Sequence, residues 1–383
     1  MSYFSVSILL LLTAYVPGEL PIARSRDPLK WNERPVARGG RLFGKGGRTV
    51  WDRQKAVAWY AAKPWLRGCD FIPSTAINQL EMWQAGTFDT ATIDKELGYA
   101  QSIGLNCMRV FLHHAAWQQD SAGFKQRVGQ YLDIAARRGI VTIFVFFDDC
   151  WNESYRTGPQ PAPKPGIHNS GWLRDPGKLL YDDPSIVAVL EKYVKDMLKT
   201  FRDDPRILLW DLYNEPGNSD YGNKSLPLLQ RIFGWAREAD PSQPLSSGVW
   251  NERLSELNAF QLSNSDIVTY HNYEPAPAHR RCIDTLRSYG RPLICTEYMA
   301  RPRNSSFFTI MPLLKSEHVG AISWGLVTGK TNTKYAWDEP MPGGSEPKIW
   351  FHDIFRPDGT PFDQRETAFI DSLTHDQSRA VLH

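Results

Sequence analysis

ILLWDLYNEPGN, residues 207–218, opens as an unbroken apolar and aromatic run and closes on Asn214 and Glu215, just before Pro216 and Gly217 break the chain. Strands buried on both faces of a parallel sheet have this continuous apolar character. Seven more runs of the same kind flank it. GCDFIPS (68–74), CMRVFL (107–112) and IVTIFVFF (140–147) come before it; LSSGVW (245–250), DIVTYHNY (266–273), PLICTEYM (292–299) and AISWGLV (321–327) follow. Segments of helical length lie between them. In FKQRVGQYLDIAARRG, Phe124, Val128, Tyr131, Leu132 and Ala135 recur at the spacing of one buried helical face. Gly104, Gly139 and Gly290 follow three such segments, where a glycine just past the last turn stops a helix. Eight strands alternating with helices predict an α/β fold, a single-domain (β/α)8 TIM barrel with long βα loops. A doubly wound open sheet would carry a glycine-rich turn after its first strand, and FIPSTAINQ has no glycine.

Composition narrows the function. Of 383 residues, 42% are hydrophobic and 22% charged, an ordinary globular mix that excludes wholesale disorder. Lys plus Arg number 44 against 42 for Asp plus Glu, too even a balance for a nucleic-acid binder. Cys69, Cys107, Cys150, Cys282 and Cys295 are scattered without a CxxC pair, which suits neither a disulfide framework nor a zinc site. No nucleotide, flavin or pyridoxal signature appears, so no cofactor and no metal are expected. The 14 Trp are the unusual feature, and they suggest aromatic surface that serves a ligand as well as the core.

The ends differ from the body. Residues 3–16 (YFSVSILLLLTAYV) match a signal-peptide h-region in length and are short for a membrane span, although no Lys or Arg precedes them. We read 1–23 as a signal peptide, which makes the protein secreted, periplasmic or cell-surface. It is cytoplasmic if that run is not a signal. Residues 24–55 hold ten Lys or Arg against three Asp or Glu, with five glycines, and 24–50 is read as a basic flexible linker. The catalytic-type domain then spans 51–375, with a polar tail at 376–383. No stable membrane span is expected, and the chain is read as a monomer.

In a barrel of this type the working residues sit at the C-terminal ends of the strands and in the loops beyond them. Glu215 closes the fourth strand and Glu297 the seventh; Arg109 lies on the second, His271 and Tyr273 end the sixth, and Trp324 belongs to the eighth. An ionised Glu in an apolar strand is costly unless paired, and two of them on one barrel argue for chemistry. Paired carboxyls facing a cleft are what cleavage of a glycosidic bond requires. Arg109 and Tyr273 would keep Glu297 anionic, Glu215 would stay protonated beside it, and Asn214 suits a sugar 2-hydroxyl.

Together, NEP closing strand four, a Glu closing strand seven, Arg on strand two, H-x-Y on strand six and Trp on strand eight resemble glycoside hydrolase clan A, most closely its cellulase-like family 5. The resemblance covers about 52–370. It implies a retaining β-glycoside hydrolase, with Glu215 as acid/base and Glu297 as nucleophile, acting on a β-linked oligo- or polysaccharide of mannoside or glucan type. It also makes Asn214 and Arg109 support residues, sets His271 and Tyr273 around the sugar at the cleaved bond, and puts Trp324 beneath that sugar. Many members end strand three with His, whereas this chain has FFDDCW. Asp148 or Asp149 is therefore expected either to bind sugar hydroxyls or to anchor a loop, with Trp151 beside them at the mouth.

Trp83, Trp117, Trp151, Trp172, Trp250, Trp324 and Trp337 fall in loops of the expected catalytic face. Asn78, Gln79, Glu81, His168 and Asn169 are candidate hydroxyl partners, while His113 and His114 are read as the start of a helix. Long loops at 74–90, 151–182 and 328–350 favour a pocket or short cleft over an open groove. The alternative is a hydrolase-like barrel that binds carbohydrate without turnover, and it predicts a lost catalytic carboxylate.

Overall fold

The computed structural model describes residues 47–375. The signal-peptide reading of 1–23, most of the basic segment (24–46) and the tail at 376–383 lie outside the described residues. All eight expected strands are present: β1 (Arg67–Asp70), β2 (Cys107–Phe111), β3 (Val141–Asp148), β4 (Ile207–Asn214), β5 (Leu245–Ser246), β6 (Val268–His271), β7 (Leu293–Glu297) and β8 (Gly320–Ser323). Neighbours pair in parallel in the order β5-β4-β3-β2-β1-β8-β7-β6. A parallel bridge between Val249 and Tyr270 joins the two edges, with the Val249 amide on the Thr269 carbonyl at 3.1 Å. The sheet is thus a nearly closed barrel with helices around it.

The helix at Ser121–Arg137 buries the predicted face of Phe124, Val128, Tyr131, Leu132 and Ala135. Gly104 and Gly139 stand past helix ends at φ 71° and 70°, which a side chain would resist. β5 and β8 are shorter than their apolar runs. After Ser246, the Gln261 side chain donates to the Gly248 carbonyl at 2.6 Å and takes it out of the ladder. After Ser323 the chain turns at Gly325, φ 80°.

Side chains fill the barrel in layers. Cys107, Ile143, Leu209, Ile294 and Ile322 form the bottom layer, which Trp51 and Ala56 close from below. Ala56 belongs to a helix, Arg53–Ala61, that the sequence reading did not anticipate. The last residues of the basic segment are docked here too: Arg48 pairs with Asp266 at 2.6 Å. Phe111, Val145 and Trp172 form the top layer. Arg109, fully buried, occupies the level between. No helix among the described residues is long and apolar enough to cross a membrane.

Candidate active site

The two-residue period of β2 puts Cys107, Arg109 and Phe111 on the inner face. Arg109 uses all five of its N–H groups. Nε and Nη2 reach Asp211 Oδ2 at 3.0 and 2.8 Å, Nη1 reaches Asp70 Oδ1 at 2.8 Å and Glu297 Oε1 at 2.9 Å, and Nη2 also reaches Asn214 Oδ1 at 2.7 Å. One guanidinium thus faces three buried carboxyls, and burial pushes Asp70 well above the usual carboxylate range despite that partner.

Glu297 reaches this cluster through an irregularity. The β6–β7 register slips between Tyr270–Cys295 and His271–Glu297, leaving Thr296 as an extra residue. Strict alternation from Ile294 would aim Glu297 outward; a bulge of this kind re-aims it to the inner face. Tyr273 donates to Glu297 Oε2 at 2.7 Å. Glu215 sits in the left-handed region at φ 43°, a backbone that is costly for a side-chain-bearing residue and concentrated at functional sites. Its Oε1 lies 2.8 Å from His271 Nδ1, and its Oε2 receives Asn218 Nδ2 at 2.5 Å and the Cys150 thiol at 3.2 Å. Glu215, His271 and Glu297 bring one ligand atom each within 4.8 Å of one another.

Burial raises both carboxyls of this pair. What opposes burial differs. At Glu297 the His271 ring would favour the anion if charged, but burial holds that ring near 4, so the opposing groups are Arg109 and the Tyr273 hydroxyl. At Glu215 only hydrogen bonds from Cys150 and Asn218 and the more distant Arg109 act. The charge of Glu215 adds to burial in raising Glu297, so the two carboxyls compete for one proton.

These residues floor a cavity of about 710 Å³. Trp324, Trp172, Trp151, Trp337 and Trp250 line it, as do His168, Asn169 and His352. Trp151 holds its place at φ 72°. Trp83 and Trp117 instead pack in the core, donating to the Phe111 carbonyl and to Asp196. Asn78, Gln79 and Glu81 also serve structure: Asn78 caps its helix, Gln79 binds the Leu173 carbonyl, and Glu81 pairs with Lys330.

The hydroxyl-binding reading of Asp148 and Asp149 is corrected. Asp148 accepts from the Cys150 amide, Asn214 Nδ2 and Trp172 Nε1. Asp149 accepts from Tyr213, the Gly217 amide and Ser225. Every oxygen of the pair is engaged by protein donors beneath the cavity, so both are anchors. Asn214 has one weakly used N–H, 3.5 Å from the Cys150 sulfur.

Sequence reasoning missed Asp70, Asp211, Cys150, Asn218 and His352. The first two carried the signal that found Glu215 and Glu297, an acid inside an apolar strand. A second cluster, His113, His114 and Asp175, has metal-like spacing. Its lone pairs are spent: His113 caps the helix His114–Gln119 through Nδ1, and His114 bridges Asp175 and Tyr155. That cluster pins the 151–182 loop to the barrel.

The sequence matches the family model Cellulase (glycosyl hydrolase family 5) over residues 75–326, which span seven of the eight strands. Over 75 residues it is 33% identical to a "Probable mannan endo-1,4-beta-mannosidase C" of Aspergillus terreus, covering 20% of this chain and 16% of that protein. In fold it is similar to the endo-β-1,4-mannanase of Thermotoga petrophila, with TM-score 0.53, 14% identity, and coverage of 82% of this chain and 77% of that one. It is also similar to GH5_18 from Streptomyces cattleya in complex with GlcNAc, with TM-score 0.58, 12% identity, and coverage of 84% and 82%. Those likenesses establish the barrel, while the family match runs through both Glu215 and Glu297: the chain belongs to glycosyl hydrolase family 5.

Proposed function

We propose that the protein is a retaining β-glycoside hydrolase with a preference for β-mannosidic bonds. The observation that carries the mechanism is the approach of Glu215 and Glu297 oxygens to within 4.8 Å. Retaining enzymes hold their carboxyls about 5–5.5 Å apart, whereas inverting ones need about 6.5–9.5 Å to admit a water. In the first step Glu297 attacks the anomeric carbon, the bond to the leaving oxygen breaks, and the Glu215 proton passes to that oxygen. In the second, Glu215 takes a proton from water as the water oxygen displaces Glu297 and releases the sugar. Arg109 and Tyr273 hold Glu297 ready to attack. Trp324 offers a flat apolar face to the ring, and the spare Asn214 N–H suits its 2-hydroxyl. The mannoside preference rests on the mannan chemistry of the relatives.

The test is turnover of aryl β-mannoside, β-glucoside, β-xyloside and β-galactoside, with the first-formed anomer read by NMR. Mannoside turnover with retained configuration, abolished in Glu297→Ala, is expected. Inversion would sink the mechanism, and a faster glucoside the preference. Binding of oligosaccharide without turnover of any would leave a carbohydrate-binding barrel instead. The proposal also has the enzyme exported and monomeric, which cell fractionation and mass in solution test.

A further inference from the structure

The two longest βα loops meet above the β8 side of the cavity. The Asn169 amide donates to the Thr331 carbonyl at 2.7 Å, the Met341 amide to Gly166 at 3.0 Å, and Asn332 Nδ2 to Lys164 at 2.9 Å. Gly166 is required for that closeness: a Cβ there would lie 1.7 Å from the Met341 carbonyl oxygen, on a backbone at φ 70°. The clasp is therefore built into both loops.

Its inner wall presents acceptors. His168 Nδ1 lies 2.7 Å from the Tyr335 carbonyl, and His352 Nδ1 lies 2.7 Å from that of Met299. A carbonyl only accepts, so both rings carry their proton on Nδ1 and leave Nε2 as a bare acceptor. Burial keeps both rings neutral, holding His168 near 4 and His352 well below its ordinary value. Beside them Asn169, 1% exposed, has an Oδ1 with no hydrogen-bond partner among the described residues. All three residues line the cavity, and no described residue reaches either Nε2.

The acid marks the direction of the substrate. Glu215 protonates the leaving oxygen, so the departing group lies on its side of the cavity, where Asn218 bonds its Oε2 and Trp250 bonds the Pro216 carbonyl. The glycone then lies over Trp324, with the end of the ring opposite the cleaved bond towards the clasp. We infer that this clasp makes the glycone site a dead end, in which His168, Asn169 and His352 accept hydrogen bonds from the free hydroxyls of a single non-reducing terminal sugar, so that the enzyme removes sugars one at a time from that end. The inference rests on the hydrolase reading above. A chain continuing past this sugar replaces the hydroxyl with an ether oxygen, which has no proton to give. The wall's acceptors then stay buried and unpaired, and sites of this kind reject such analogues strongly.

The probe is β-1,4-mannopentaose labelled at its reducing end, beside the same oligomer methylated on O4 of its non-reducing terminal sugar. If an aryl glycoside other than mannoside is the best substrate, the oligomer of that sugar replaces it. The expected early products are labelled chains shorter by one sugar, and methylation should cut kcat/KM by about a hundredfold or more. His352→Phe replaces the imidazole with an apolar ring that has no acceptor, so it should shrink that discrimination more than it lowers turnover of the aryl glycoside. Internal cuts, or equal turnover of the capped oligomer, would overturn the inference while leaving a working hydrolase. Silence on every aryl glycoside would sink the hydrolase reading and this inference with it.

Discussion

At the floor of the cavity Arg109 spends five N–H groups on Asp70, Asp211, Glu297 and Asn214, all carried by strands or their last residues. At the roof His168, Asn169 and His352 are neutral, carried by loops, and fixed mainly by backbone carbonyls and amides. Charge that must be buried needs the stiffest part of the fold, because its paired groups lose their value if they move apart. Groups that recognise hydroxyls need only be oriented and dry. Changes at the floor should therefore cost chemistry and stability together, and changes at the roof should cost selectivity.

The largest effect should come from the carboxyl that attacks. Glu297→Ala should lower kcat on an aryl glycoside by about 10⁴-fold or more, the scale seen when a nucleophile is removed. Glu215→Ala should cost about 10²–10⁴-fold, the span of general acid–base catalysis, and should abolish the alkaline limb of the pH profile. Equal pH profiles for wild type and Glu215→Ala would mean that the proton rests elsewhere.

Arg109→Met comes next and tests the floor as a unit. It leaves three buried carboxyls without their cation, a loss of about 3–5 kcal/mol by denaturant titration. Arg109→Lys should recover little of it, since an ammonium has three donors where five are used. Full recovery by Lys would show that charge alone, without the fork geometry, holds the floor.

The contrast between floor and roof also decides what the sequence reveals. Eight apolar runs of strand length sufficed for the barrel, and residues ending those runs share a depth, so Glu215, Glu297, Arg109, His271 and Tyr273 meet as expected. Asp70 and Asp211 were overlooked although an acid within GCDF or LLWDL is the same physical anomaly. Thr296 is different. Nothing in LICTEYM announces the slip that turns Glu297 inward. The roof has no period to read: His352 lies in an irregular stretch, and the need for Gly166 appears only when Met341 is packed against it. FFDDCW was ambiguous for a further reason. Whether an Asp meets substrate or protein donors depends on Tyr213, Trp172 and Ser225, which come from distant segments.

Tyr273→Phe should have a smaller effect than loss of Arg109. It removes a hydrogen bond to a carboxylate, worth about 1.5–3 kcal/mol, and so about 10–100-fold in kcat/KM. That bond favours the ionised form of Glu297. Its loss should raise the acidic limb of kcat/KM to higher pH. A lower rate with an unmoved limb would make Tyr273 a substrate contact only.

The smallest effect on activity, and the sharpest on pH, belongs to Asp149→Asn. Burial raises the Asp149 carboxyl to about 7 in the native protein, against hydrogen bonds from Ser225, Gly217 and Tyr213 that favour the anion. Unfolded, it should titrate near the ordinary value of about 3.9. Between those values the native state holds a proton that the unfolded state has lost, so stability falls as pH rises. The contribution is fully present below about pH 4 and gone once pH passes the folded value near 7. An asparagine is neutral throughout and can still accept from the Gly217 amide. Thermal unfolding from pH 4.5 to 8 should therefore show the variant losing less stability than wild type as pH rises, with aryl-glycoside turnover nearly unchanged. The slope should flatten without vanishing, because Asp148 and Asp353, raised to about 6, and Glu96, raised to about 7, act in the same direction. Parallel curves would mean that Asp149 stays ionised in its anchor, held by its three donors more strongly than burial opposes them.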